Sequence, residues 1–343
     1  MRRPTWAEEL LGPVATVVAL AIASSLWVSS ADQTKFQTAI VYVAIVGALY
    51  IFVGNSGVIS FGQVSFVAVG AFSAGVMTIP SDTKPGVLPT LAPLLRDHSI
   101  SNVWSLLLAA GLGAVYAFLV GIPLMRLSGI AAGIATLAVL GITYNLLTYW
   151  NSIGPGATTL SLIPETTDSW QATSGAIGVI VVAFLYQRSR FGRQLRAARE
   201  DPAAARAAGI DIHRQRLWAF TLSGCLSGFA GGLFVHLLGS ISTNQVYLDL
   251  TFLTLAMLVV GGISSLWGAV VGAIAISLFN ILLSNAEQGI HVFGQPIHAP
   301  TGTSLVGIAV VMLVILLVRP RGITGGREFS LPTSLPRRWV SSR

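Results

Sequence analysis

The segment RSRFGRQLRAAREDPAAARAAGIDIHRQR, residues 188–216, separates two long apolar stretches and carries the largest cluster of charge in the chain. It holds eight arginines and three acidic residues. A chain that keeps charge out of its apolar stretches and concentrates it in one loop must expose that loop to water. Positive charge is retained on the cytoplasmic side of a membrane, so this loop predicts the orientation of the spans beside it.

A short helix is predicted inside this loop. Asp201 is a suitable N-cap, a proline follows at the first helical position, and Gly209 supplies a C-terminal stop. The predicted helix runs from Pro202 to Ala208, which is about two turns. Asp211 can then cap the next long helix. A helix held between two spans in this way suits the transfer of force from a soluble partner into a membrane body.

The composition indicates a polytopic membrane protein. The 343 residues are 53% hydrophobic and 10% charged, whereas soluble domains contain about 25% charged residues. The formal net charge of +7 is therefore interpreted as an indicator of how the chain is oriented in the membrane. Nucleic-acid binding is the weaker interpretation, because no polar domain offers a basic surface. Cys225, the single cysteine, lies in an apolar stretch, so neither a disulfide nor a cysteine metal site is predicted.

Ten apolar segments are predicted to span the membrane, with eight to ten as the range because several are short. They are 10–28, 37–54, 62–79, 103–125, 129–150, 173–187, 217–238, 250–262, 266–284 and 303–318. The first is longer than a signal-peptide core and is predicted to stay uncleaved. With a cytoplasmic N-terminus and alternating spans, 17 of the 20 Lys and Arg residues are cytoplasmic, and Lys35, Lys84 and Arg96 are external. The predicted fold is an all-α polytopic transmembrane bundle over 1–320, followed by a cytoplasmic tail over 321–343.

Glycine recurs in two patterns. In two spans it repeats every four residues, a spacing that lets helices approach closely. The predicted packing residues are Gly224, Gly228, Gly232, Gly268 and Gly272. Two other clusters, GNSGVISFG (54–62) and GGISSLWG (261–268), interrupt apolar stretches in the two halves of the chain. Such paired interruptions indicate an internal repeat whose broken helices line a pathway. Two ordinary cytoplasmic turns are the alternative.

The candidate path residues are uncharged. They are Asn55, Gly57, Ser60, Gln63, Thr136, Gly262 and Ser264. For each polar side chain taken alone, a helix–helix hydrogen bond is the alternative. The predicted spans contain no Asp, Glu, Lys or Arg, which argues against a proton-coupled carrier. A path of this kind suits a neutral or zwitterionic solute.

Sequence motifs for catalysis and nucleotide binding are absent. The pattern G-x-x-x-x-G-K-[ST] does not occur, so any ATP must be bound by another subunit. The five histidines have no metal-ligand spacing, and no Ser-His-Asp or paired-carboxylate set lies at a suitable depth. We therefore predict no catalytic residue, no metal and no cofactor, and a membrane-embedded enzyme is not supported.

Several stretches resemble one family of transport proteins. These are SRFGRQLRAAREDPAAARAAGIDIHRQRLWAFTLSGCLSGFAGGLFVHLLGSIS (189–242), MLVVGGISSLWGAVVGA (257–273), GNSGVISFGQVSFVAVGAF, LSGIAAGIATLAVLGITYNLL and RPRGITG. Together they cover nearly the whole chain. They are similar to the membrane subunits of ABC importers for branched-chain amino acids, and more narrowly to the M-type permease of the leucine/isoleucine/valine system.

The resemblance implies a multi-pass subunit in the lipid of a bacterial cytoplasmic (inner) membrane, with both termini cytoplasmic. It implies a sister permease, two cytoplasmic ABC ATPases and an extracytoplasmic solute-binding protein as partners. It also implies that the loop helix docks into an ATPase. The coupling residues are then Arg196, Glu200, Asp201, Pro202, Ala205 and Gly209.

The solute stays open at this point. The chain departs from the family pattern at Gly141, Pro155 and Thr159, where the solute could pass. A branched-chain or other apolar amino acid is expected, and urea, short amides or nucleosides are the alternatives within the class. From another class, the alternative is a channel or facilitator without an ATPase, although such a protein has no use for a capped helix in an arginine-rich loop.

Overall fold

The computed structural model describes residues 6–25, 30–288, 290–292, 295–297, 300 and 302–329, and this part of the chain is almost entirely helical. Its two short strands form an antiparallel hairpin. In chain order the elements are α1 (Trp6–Ser25), α2 (Ser30–Ser56), α3 (Gln63–Thr78), α4 (Lys84–Val87), α5 (Pro93–Arg96), α6 (Asn102–Leu124), α7 (Gly129–Tyr149), α8 (Ser169–Arg188), α9 (Arg190–Glu200), α10 (Pro202–Ala207), α11 (Ile212–Leu238), α12 (Leu248–Gly261), α13 (Leu266–Gln288), β1 (Ile290–Val292), β2 (Gln295–Ile297) and α14 (Thr303–Val318).

Each of the ten predicted spans coincides with a helix. Among the residues that the structure describes, seven helices are long and apolar enough to cross a membrane, namely α1, α2, α6, α7, α8, α11 and α13. The apolar helices α3, α12 and α14 have 16, 14 and 16 residues, which is short of the roughly 20 that a perpendicular crossing needs. The prediction of an all-α polytopic membrane bundle is confirmed.

Helix α2 occupies the centre of the bundle. Its apolar residues surround the helix on all sides, as expected of a helix enclosed by others, and it packs against α8, α11 and α13. Tyr50 and Phe52 are completely buried, and the ring of Phe52 meets that of Phe220 edge-on at 5.0 Å between centroids. By contrast, α6, α7 and α14 expose Leu, Ile and Val side chains on the outside of the bundle, where lipid or another membrane helix would lie.

Glycines form the closest contacts between helices. Between α11 and α6, a Cβ built on Gly224 would lie 2.9 Å from the carbonyl oxygen of Gly113, and one on Gly113 would lie 3.0 Å from Gly228 Cα. Between α13 and α12, a Cβ on Gly268 would lie 2.9 Å from the carbonyl oxygen of Gly261. Even a methyl group is therefore too large at these positions without movement of the partner backbone. The predicted packing glycines all lie at these two contacts: Gly224, Gly228, Gly232, Gly268 and Gly272.

The loops gather at two opposite ends. The arginine-rich end holds the 188–216 loop, and the ion pair between Arg188 and Glu9 places the start of α1 there as well. At the opposite end, Leu160 pairs with Ile241 through their backbones.

One loop at the opposite end is organised around a lysine. Lys84 begins α4 and is completely buried. Its Nζ donates hydrogen bonds to the carbonyl oxygen of Leu95, at 2.9 Å, and to that of His98. Burial lowers the pKa of Lys84. The two carbonyls tie the loop between α3 and α6 into a folded unit, which the sequence did not predict.

Candidate functional site

Two helices form the arginine-rich loop. Helix α9 begins after its N-cap, Ser189. Helix α10 begins after Asp201, whose carboxylate accepts hydrogen bonds from two backbone amides at 2.8 and 3.0 Å. The predicted capped helix is confirmed, and it ends at Ala207, one residue earlier than expected. Gly209 has a φ of +78°, the left-handed conformation of a glycine stop, and Asp211 caps α11.

Helix α10 projects from the bundle. Only its Ala205 is buried, in a small apolar cluster with Ala198, Ile210 and Ile212. The other residues of α10 are exposed, and so is Glu200 at the end of α9. Because α10 buries only one alanine and exposes its other residues, it offers a compact surface to a partner.

A cleft of about 830 Å³ opens beside this helix. The first glycine-rich break, between α2 and α3, contributes Gly57 to its lining, and the second, between α12 and α13, contributes Ser264. The arginine-rich loop contributes Arg199 and Pro202, and the start of α7 contributes Gly133. Segments far apart in the sequence therefore meet at one opening at the arginine-rich end.

Two arginines of α9 reach the end of α2. Arg196 Nε donates a hydrogen bond to Asn55 Oδ1 at 2.8 Å, and Arg196 Nη2 donates to the hydroxyl oxygen of Tyr50 at 2.8 Å. Arg199 Nη1 donates to the carbonyl oxygen of Gly54 at 2.6 Å. Arg196, a predicted coupling residue, thus bonds directly to Asn55, a predicted path residue.

Residues 319–329 fold back over the second break, and we call them the C-terminal strap. The Glu328 carboxylate accepts hydrogen bonds from the amides of the first two residues of α13, at 3.0 and 3.1 Å. These amides have no partner within their own helix, and the positive end of the helix dipole favours a carboxylate there. At the end of α12, Thr324 donates to the carbonyl oxygen of Gly261 from both its amide and its hydroxyl, at 3.2 and 2.9 Å.

The sequence profile of the family described as "Branched-chain amino acid transport system / permease component" matches residues 34–318. The chain belongs to this permease family. The matched region includes both glycine-rich breaks and the whole arginine-rich loop.

Individual proteins similar to this permease come from several organisms. The "High-affinity branched-chain amino acid transport system permease protein LivM" of Escherichia coli K12 is 26% identical over 342 residues, which cover 90% of this chain and 73% of that protein. The "Probable branched-chain amino acid transport permease protein LivM" of Methanocaldococcus jannaschii is 27% identical over 311 residues, covering 81% and 89%. The "Nucleoside ABC transporter permease protein NupC" of Lactococcus lactis is 23% identical over 289 residues, covering 78% and 84%. No solved structure matches the chain.

The predicted path residues of the permease fall into three groups. Gly57 and Ser264 line the cleft. Thr136 is buried beside the first break, where its Oγ1 accepts a hydrogen bond from the amide of Phe61 at 3.1 Å. The remaining predicted residues do not contribute to the lining of the cleft: Asn55, Ser60, Gln63 and Gly262.

Sequence reasoning missed four residues that organise this region of the permease. Tyr50 and Gln187 lie in apolar helices and carried no recognisable signal. Arg199 was one of eight loop arginines, with nothing to separate it from the others. Glu328 did carry a signal, because it is the single acidic residue in the basic segment 319–343.

Proposed function

We propose that this permease is the membrane-spanning subunit of an ATP-driven ABC importer for branched-chain or other apolar amino acids. The family match and the similarity to two LivM permeases support this solute class. The observation that carries the ATP-driven part is α10, a capped and exposed helix beside the cleft. A sister permease, two cytoplasmic ABC ATPases and an extracytoplasmic solute-binding protein complete the importer.

The arginine-rich end faces the cytoplasm of a bacterial cell, and both termini lie on that side of the inner membrane. Support comes from the charge distribution, because alternating spans in this orientation keep 17 of 20 Lys and Arg residues inside. The ATPases therefore meet α10 in the cytoplasm. The binding protein meets the opposite end.

In this importer, ATP binding and hydrolysis on the ATPases move α10 and thereby open and close the path. The predicted spans carry no ionisable Asp, Glu, Lys or Arg, so the solute crosses as a zwitterion or a neutral molecule. Helix ends at the glycine-rich breaks provide dipoles for its amino and carboxylate groups. The external binding protein supplies most of the specificity.

Docking of the ATPases tests this function. Ala204→Trp places a bulky ring on the exposed face of α10, and Gly209→Pro removes both the left-handed φ and the amide that bonds to Arg206 at 2.9 Å. ATPase recovered with the permease should fall at least about tenfold, since central contacts of an interface dominate its affinity. The matched control for ATPase recovery is Ala157→Trp, at an exposed alanine of the opposite end. Unchanged ATPase recovery and uptake in both α10 variants would contradict the coupling role.

A nucleoside is the second candidate solute. The similarity to a nucleoside permease over 78% of this chain supports it. Uptake of labelled leucine, urea and adenosine by the reconstituted importer, each with and without ATP, separates the solute classes. Uptake that proceeds equally without ATP would instead support a channel or facilitator.

A further inference from the structure

Helix α9 is the part of the loop that enters the bundle. It is held in the core of the bundle by the buried side chain of Leu195, and Ala198 joins it to the small cluster around Ala205. Arg196 and Arg199 are three residues apart and so neighbour each other on the helix surface. Both reach the end of α2, so they join the exposed loop to the helix at the centre of the bundle.

The acceptors around Arg196 are uncharged. Asn55 and Tyr50 are completely buried, and Gln187 of α8 is nearly so. Arg196 Nη2 and the Tyr50 hydroxyl both donate to Gln187 Oε1, each at 2.8 Å. The guanidinium therefore links α9 with α2 and α8 at once. Because these acceptors are neutral, the helices can shift against each other without separating an ion pair.

Arg199 satisfies a carbonyl at the end of α2. The amide of Val58, four residues after Gly54, bonds instead to Ser56 Oγ at 3.2 Å, and this leaves the Gly54 carbonyl to Arg199. A cation is favoured at this negative end of the helix dipole. The chain turns at Gly57, with a φ of +71°, and a Cβ there would lie 2.9 Å from Arg199 Cγ. The first break is thus shaped around the stem of Arg199.

We propose that Arg196 and Arg199 transmit displacement of α9 and α10 to the first break and hence to the cleft. This inference rests on the proposed function and adds the residues that carry the motion. Arg199 lines the same cleft as Gly57 and Pro202, so a shift of α9 changes two of its walls together. Both arginines are positioning residues, because their hydrogen bonds to α2 are made at its end, beside the first break.

The test uses the complete importer in proteoliposomes, with the double variant Arg196→Gln, Arg199→Gln. The control is Arg193→Gln, an exposed arginine of the same helix. The number of ATP molecules hydrolysed per solute taken up should rise at least about tenfold in the double variant, the change expected when a charge-assisted hydrogen bond is lost. ATPase recovery should equal that of the wild type, and lysine at both positions should restore part of the coupling. A wild-type ratio in the double variant would overturn the proposal.

Labels on the two sides of the link provide a readout that does not depend on transport. In a chain without its native cysteine, probes are placed at Ala197 of α9 and at Ile59 of the first break, both exposed. In the wild type both probes should respond to a non-hydrolysable ATP analogue. In the double variant only the probe at Ala197 should respond, and a response at both would refute transmission by the arginines.

Two further comparisons keep the outcomes distinct. If the double variant does not assemble, the single variant Arg199→Gln is measured by the same two readouts, because it leaves the hydrogen bonds of Arg196 in place. If the wild-type importer takes up solute without hydrolysing ATP, the proposed function fails. If the wild type couples uptake to hydrolysis and the variants do so equally, only the role of the two arginines fails.

Discussion

The contact between α6 and α11 allows a paired test on one helix. Gly113 and Gly111 both lie in α6, but a Cβ on Gly113 would lie 2.5 Å from the carbonyl oxygen of Gly224, whereas a Cβ on Gly111 would have no atom within 4 Å. The first distance is about 0.9 Å shorter than the 3.4 Å at which van der Waals contact becomes ordinary. Since the obstructing atoms belong to the backbone, the two helices must move apart in Gly113→Ala.

Gly113→Ala and Gly111→Ala are expected to change the stability of the permease in opposite directions. Alanine in place of glycine stabilises a helix by about 1 kcal/mol, which both variants gain. Overpacking destabilises by about 1–3 kcal/mol, and the upper end applies to Gly113→Ala because no side chain can rotate away. We therefore expect Gly113→Ala to lose about 2 kcal/mol and Gly111→Ala to gain about 1 kcal/mol. The difference of about 3 kcal/mol corresponds to a gap of roughly 6 °C in the thermal midpoint.

The thermal midpoint of each purified variant is measured in the same detergent, from the fraction of protein that stays monodisperse after heating. Gly111→Ala controls for the change in helix propensity and for the added methyl group. Equal midpoints for the two variants would refute the conclusion that α6 and α11 touch through their backbones at this point.

Three other outcomes are expected. Glu328→Gln should destabilise the permease by about 1 kcal/mol, as the loss of a helix cap does, and should increase protease cleavage within the strap; unchanged cleavage would mean that the capping bonds do not hold the strap. Gly57→Val, at a φ of +71° in the lining of the cleft, should abolish uptake without reducing ATPase recovery, and Asn55→Leu should weaken uptake less; normal uptake by Gly57→Val at equal expression would place the path elsewhere. In a chain without its native cysteine, Ala203→Cys should react with an impermeant thiol reagent only from the cytoplasmic side and Thr166→Cys only from outside; the reverse labelling would contradict the orientation.

Patterns that are local in sequence predicted local structure well. The edges of most spans lie within a few residues of the helices, because an apolar stretch in a membrane must satisfy its own backbone hydrogen bonds. The cap at Asp201 and the stop at Gly209 were predictable for the same reason, since each acts on amides and carbonyls only a few residues away. The short helices α4 and α5 and the hairpin lie in loops with weaker patterns, and the sequence did not predict them.

Contacts between distant segments were not predictable. Arg196 and Asn55 are separated by 141 positions, and the sequence around either residue gives no indication of their contact. Helix α9 was missed because its stretch is dominated by arginines, and charge alone indicates exposure rather than insertion. In the structure the stems of Arg196 and Arg199 pass into the bundle while their guanidinium groups bond to polar groups there. Arg196, predicted to couple, and Asn55, predicted to line the path, therefore looked unrelated in the sequence but bond to each other in the fold.

The C-terminal strap has a consequence for how the protein is made. Synthesis proceeds from the N-terminus, so α12 and α13 enter the membrane before Glu328 and Thr324 exist. Until then, the amides at the start of α13 and the carbonyl of Gly261 lack the partners that the strap supplies. The second break is thus completed only after α14 has been synthesised. A ribosome that stops shortly after α14 would release a chain that contains α1 to α14 but has an open second break, which a membrane protease could recognise.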